Sequence, residues 1–143
     1  MNTLHATSFS WASVRGLTAV LPLAAALAAP LAHGATSSEL LAGYTRQAGV
    51  AAAPARGQQF FTTSHGKEWS CSTCHGAIPT QAGKHASTGK PIGAMSPAVN
   101  VERFTDLAKA EKWFRRNCND VAGRECTAAE KADVLSWLMT LKL

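Results

Sequence analysis

Acidic side chains are scarce: nine Asp and Glu stand against 14 Lys and Arg in 143 residues. None of the nine falls before residue 35, and Arg15 is the sole Lys or Arg in that stretch. Residues 17–32 are almost wholly Leu, Ala and Val, broken by Pro22 and Pro30. A basic residue, an apolar run and small residues at its end describe a secretory signal peptide. The small residues around Ala32-His33-Gly34 favour a cut before Ala35. A retained anchor would need ~20 apolar residues, and this run is shorter and carries two prolines. The expected division is a signal peptide over 1–34 and one domain over 35–143, with a mature chain that does not span a membrane.

Other absences narrow the chemistry. The mature chain has no second C-x-x-C and no paired-histidine motif, which argues against a zinc ribbon. It shows no βαβ pattern, which argues against a thioredoxin-like redox pair. No acid–base cluster is visible, so an electron carrier is favoured over an enzyme. Without Arg15 the chain keeps 13 Lys or Arg against nine Asp or Glu, a formal +4. That mild basicity suits acidic redox partners and is no nucleic-acid signature.

What is present is Cys71-Ser72-Thr73-Cys74-His75. The order C-x-x-C-H is the attachment signature of a c-type haem. Two thiols at this spacing can add to the two vinyl groups of one porphyrin, and His75 then serves as proximal iron ligand. Such haem is attached outside the cytoplasm, in agreement with export to the periplasm. Cys118 and Cys126 remain, an even number in an oxidising compartment, and are expected to form a disulfide.

The flanking chain reads as helical. Thr36-Ser37-Ser38-Glu39 has the form of a capping box and opens a helix over about 37–48. Pro54 suits the first turn of a helix reaching Thr62 that buries Phe60 or Phe61. Trp69 is expected to pack on the haem edge. Residues 76–100 hold Gly83, Gly89, Gly93, Pro79, Pro91 and Pro97 and read as an extended loop around the porphyrin. Thr105 is the expected cap of a helix from Asp106 to about Cys118, with Leu107, Ala110, Trp113 and Phe114 as its buried stripe. Its Lys109, Lys112, Arg115 and Arg116 read as a solvated face. Thr127-Ala128-Ala129-Glu130 is a second capping box before a C-terminal helix with Val134, Leu135, Trp137, Leu138 and Leu141 on its apolar face. The expected fold class is all-α.

The second axial ligand is less determined. Met95, Met139, His65, His85, Asn117 and Asn119 all carry suitable atoms. Met95 is the conventional choice, since Met/His ligation is common in electron-transfer cytochromes. It follows His75 by only 20 residues, a short path to the opposite haem face. Asn117 follows by 42, beside the expected disulfide.

Trp113-Phe114-Arg115-Arg116-Asn117-Cys118, then Val121-Ala122-Gly123-Arg124-Glu125-Cys126-Thr127 and Glu130-Lys131-Ala132-Asp133-Val134, resembles the sphaeroides haem protein family of bacterial c-type cytochromes. The stretch from Gly89-Lys90-Pro91-Ile92 to Asn100 and on to Arg103-Phe104-Thr105-Asp106 is similar too. The resemblance implies a class I cytochrome c fold around one covalent haem c. It implies His75 as proximal and Asn117 as distal ligand, with Cys118–Cys126 bridged beside it; Met95 stays the alternative. It also implies that the asparagine leaves on reduction, opening the iron to O2, NO or CO. The partners it implies are a dihaem cytochrome c and a membrane cytochrome b. Two further functions remain open: a gas-binding, gas-sensing or gas-reducing haem protein, and an ordinary His/Met electron carrier.

Overall fold

The structure is a computed structural model and describes residues 35–142. The expected signal peptide lies outside the described residues. Helix α1 runs Ser37–Ala48, α2 Pro54–Thr62, α3 Cys71–His75, α4 Leu107–Ala122 and α5 Ala128–Thr140. Two-residue strands β1, Gly83–Lys84, and β2, Pro91–Ile92, pair antiparallel with Gly83 opposite Ile92. The long loop is therefore pinned at its waist by a minimal ladder, in an otherwise helical molecule.

Local chemistry explains each helix end. Thr36 Oγ1 accepts the Glu39 N–H at 3.2 Å, and Glu39 Oε2 accepts the Thr36 N–H at 2.6 Å. Thr127 and Glu130 repeat this box before α5. Arg124 forks onto the same Glu130 carboxylate at 2.6 and 2.8 Å. Pro54 occupies the first turn of α2, where its missing N–H costs nothing.

Helix α4 departs from expectation in three ways. Its cap is Asp106, whose Oδ1 accepts the Lys109 N–H at 2.9 Å; Thr105 Oγ1 donates instead to the Glu102 carbonyl. The helix continues four residues past Cys118, to Ala122. Leu107 and Trp113, expected inside, are 54% and 42% exposed. The inward face is Ala110, Cys118 and Val121, with Phe114 partly buried among them. At 3.6 residues per turn that arc leaves Trp113 at its rim.

Helix α5 is buried continuously from Ala132 to Leu138 because it has neighbours on two sides. Leu40, Tyr44, Ala110, Ala132 and Leu135 form one apolar cluster, joining α1 and α4 to α5. Phe61, Val134, Trp137 and Leu138 form a second, joining α2 to α5. Phe104 and Phe114 pack against both. Of the two candidate aromatics on α2, Phe61 is the fully buried one. Gly57 sits where α2 meets α5: a Cβ there would collide with the Asp133 carbonyl. The contact is locked by Asp133, which accepts from the Ala53 N–H at 2.7 Å and from Arg56 Nε at 2.7 Å.

Candidate haem-binding site

Cys71, Cys74 and His75 lie on the single turn of α3. The Ser70 N–H donates to Thr73 Oγ1 at 3.0 Å, which holds the entry to the turn. Gly76, at φ 77°, ends it directly after His75. One helical turn brings positions i and i+3 to the same face, so the two cysteines share a side. Both are free thiols. Before attachment, burial pushes the Cys71 thiol up to about 11.

His75 is held as a neutral base. Burial, and then the positive charge of Arg103, lower its pKa to about 4. The imidazole therefore keeps a lone pair for a metal at any physiological pH. Its ring lies 6.1 Å from that of Phe61. The loop presses directly on its backbone: a Cβ at Gly83 would meet the Cys74 carbonyl. Only glycine lets β1 approach α3 this closely.

Arg103 is fixed by its surroundings. Nε donates to the Ala94 carbonyl at 2.9 Å and Nη2 to the Gly93 carbonyl at 2.8 Å. Its own carbonyl accepts from Ser37 Oγ at 3.0 Å. Phe104 follows at φ 59°, a left-handed conformation that costs a non-glycine residue about 1–2 kcal/mol. That cost is offset by the Phe104 ring, which packs 6.3 Å from Phe114 and against both apolar clusters.

The candidate distal ligands stand in different surroundings. Met95 donates its N–H to the Pro79 carbonyl at 2.9 Å, and the Ser96 N–H follows at 3.3 Å. Ser96 is fully buried, with Oγ donating to the Leu141 carbonyl at 2.7 Å. Met95 is thus tied to a residue four places after His75 and packs with the Phe61 cluster. Asn117 is half-buried in the middle of α4, not at its end, so it is no C-cap. It stands three residues after Phe114 and one before Cys118, on the rim of the inward face. Cys118 and Cys126 are bonded to each other, with Cα atoms 5.6 Å apart. His65 is engaged elsewhere, Nε2 to the Phe60 carbonyl at 2.8 Å and its ring stacked on Phe60. His85 Nδ1 meets Ser87 Oγ at 3.2 Å, and Trp69 stands 6.5 Å from the His85 ring. Met139 packs against the α1–α5 cluster, and Asn119 is exposed.

Residues 47–138 match a family model described as a domain of unknown function, DUF1924. The chain is 49% identical over 127 residues to the cytochrome c-type protein SHP of Cereibacter sphaeroides, covering 85% of this chain and 98% of that one. The chain belongs to the sphaeroides haem protein family. A solved structure described as oxidised SHP, an oxygen-binding cytochrome c, superposes with a TM-score of 0.70 at 46% identity, over 74% of this chain and 97% of that one. The solution structure of Methylophilus methylotrophus cytochrome c'', described in terms of haem-ligand detachment, gives 0.67 at 32% identity over 75% and 94%.

As in other members of the family, the cofactor is one covalently bound haem c. The donor set fits it: two free thiols on one turn and an adjacent neutral imidazole. Several residues around this centre have no motif to announce them. Arg103, Gly83 and the Pro79 carbonyl act through tertiary approach. The weak signal among them was a glycine with no turn to explain it.

Proposed function

We propose that the mature chain, exported to the periplasm after loss of residues 1–34, is a monohaem cytochrome that carries single electrons. His75 and Asn117 are its axial ligands, and Asn117 lets go on reduction. The observation that carries this reading is the position of Asn117: mid-helix on α4, between Phe114 and the bridged Cys118, on the rim of the inward face. Met95, the alternative, is hydrogen-bonded to the segment that follows His75, and that position argues against its serving the opposite side.

Bound haem supplies one-electron chemistry and, with one axial position free, a site for a diatomic gas. An amide oxygen is a hard, neutral, weak donor and suits the ferric state better than the ferrous. Asn117 is therefore a ligand made to be lost. Once free, its amide N–H can donate a hydrogen bond to O2, NO or CO. Because Cys118 is bridged, the Asn117 backbone stays close by and can return on oxidation. His75 remains neutral and in place throughout. The description of a solved relative as an oxygen-binding cytochrome supports the gas site as a second function of the same centre. By family resemblance, electrons pass to and from a dihaem cytochrome c, and a membrane cytochrome b.

Absorption spectra of the ferric and reduced protein, with and without CO, test the reading. A reduced high-spin spectrum that shifts with CO is expected. A reduced low-spin spectrum indifferent to CO would reject Asn117 release and favour Met95. Asn117→Ala should change the ferric spectrum, whereas Met95→Leu should leave it unchanged.

A further inference from the structure

Among the described residues, four ion pairs take up much of the acidic complement: Arg56–Asp133, Arg115–Glu125, Arg124–Glu130 and Lys131–Glu111. Helix α4 contributes Arg115 and Glu111 to these pairs. Its other cations, Lys109, Lys112 and Arg116, take part in no ion pair among the described residues. Their spacing of three, four and seven puts them on one side of the helix. Asp106, three residues before Lys109, and Asp120, four residues after Arg116, are the acidic residues on that side.

Trp113 lies between this cationic row and the inward face. It is 42% exposed, with Lys112 Nζ 6.0 Å and Arg116 Cζ 5.9 Å from its ring. The ring thus turns toward the cations and the surface. Tryptophan and arginine are the residues most enriched among the energetic anchors of interfaces. Unpaired cations steer an oppositely charged partner and set its orientation. Asn117 is one turn, ~5.4 Å, further along the same helix.

We infer that the face formed by Lys109, Lys112, Trp113 and Arg116 is the docking surface for an acidic redox protein. The inference rests on the electron-carrier reading above. One electron crosses from the reduced member of the pair to the oxidised one, with no bond or proton exchanged. An anionic membrane is the weaker occupant: lipid-binding clusters use 4–8 cations on a segment beside the bilayer, and this row has fewer.

A plant-type ferredoxin serves as the probe, being small, acidic and, at about −400 mV, reducing. Its reduction of the ferric holoprotein is followed by stopped flow at several salt concentrations. For the wild type, the second-order rate should fall steeply with salt. The triple variant K109E/K112E/R116E should slow it by about a hundredfold at low salt and abolish the salt dependence. Trp113→Ala should slow it by about tenfold at every salt concentration, and Trp113→Phe should recover part of that loss. The hairpin control K84E/K90E should stay within about twofold of wild type. A triple variant as fast as wild type, or a control that loses as much, would overturn the docking surface. So would binding to phosphatidylglycerol vesicles that the triple variant abolishes while ferredoxin kinetics stay unchanged. A holoprotein that dithionite reduces but ferredoxin ignores overturns the docking surface alone. One that cannot be cycled by dithionite and air overturns the carrier reading itself.

Discussion

Arg103 uses its guanidinium on two backbone carbonyls, Gly93 and Ala94, and on no carboxylate among the described residues. Its charge acts on His75, whose protonation it opposes alongside burial. The same field opposes the extra positive charge of ferric iron. Arg103→Gln should lower the midpoint potential by roughly 40 mV, the equivalent of about 1 kcal/mol across a site of intermediate dielectric. Arg103→Lys keeps the charge and should keep the potential, although it loses the two-carbonyl fork. Redox titration of the three proteins decides. Equal potentials in wild type and Arg103→Gln would mean that the guanidinium is screened from the iron. Little of this could be read from the chain. The C-x-x-C-H order is explicit because attachment demands adjacent residues. The role of Arg103 depends on carbonyls nine and ten residues earlier, which no local pattern marks.

At the scale of elements, the capping boxes were legible because their logic is local. Thr127 and Glu130 satisfy each other across three residues, and the helix begins where they say. The Arg124 fork onto Glu130 was not legible, since it depends on how the preceding turn closes. Arg124 draws the Glu130 carboxyl below the usual range; burial opposes it, and the Thr127 N–H and hydroxyl assist. The folded pKa lies below the unfolded one, so the stabilisation is present above the unfolded value and lost as pH falls through the folded one. Glu130→Gln should cost about 1 kcal/mol at pH 7 and almost nothing in acid, once the carboxyl is protonated in the folded state. Urea unfolding at both pH values checks this; an equal loss at both would assign the effect to geometry rather than charge. The α4 boundary failed for a related reason. Asp106 and Thr105 are both good caps in isolation, and the choice between them fell to Thr105 bonding backward to Glu102. The exposure of Trp113 was missed because an aromatic at helical spacing reads as core.

The crossing of α2 over α5 is also a matter of elements. Gly57 brings the α2 backbone against the Asp133 carbonyl, while Arg56 and the Ala53 N–H bind the Asp133 carboxylate beside it. Gly57→Ala should force the two helices apart and cost about 2 kcal/mol, in the range of core overpacking. Thermal unfolding of the holoprotein measures it. A neutral or stabilising effect, as helix propensity alone would give, would show that the crossing is looser than its geometry implies.

For the whole molecule, α5 is the shared wall between two apolar clusters, and α4 closes one of them from outside. The sequence showed that α5 was apolar but not that it had two neighbours, because the pairing of α1 and α2 with it is long-range. Helix α4 has less holding it. Its inward face is short, and its C-terminal end is tied to the start of α5 through Cys118 and Cys126, both buried. Closing a loop of this length stabilises by about 2–3 kcal/mol in the chain-entropy account. Cys118→Ser with Cys126→Ser should therefore lower the denaturant midpoint of the holoprotein by that equivalent. The loss should be uneven. Residues 107–122 should exchange amide hydrogens faster, while α5, held on two sides, should keep its protection. If Asn117 is a ligand, the loosened α4 should also hold it less well, and the ferric spectrum should gain a high-spin component. An unchanged spectrum together with faster exchange in α4 would detach the ligand from the helix that carries it. Unchanged exchange would show that Ala110, Phe114 and Val121 alone suffice to hold α4 in place.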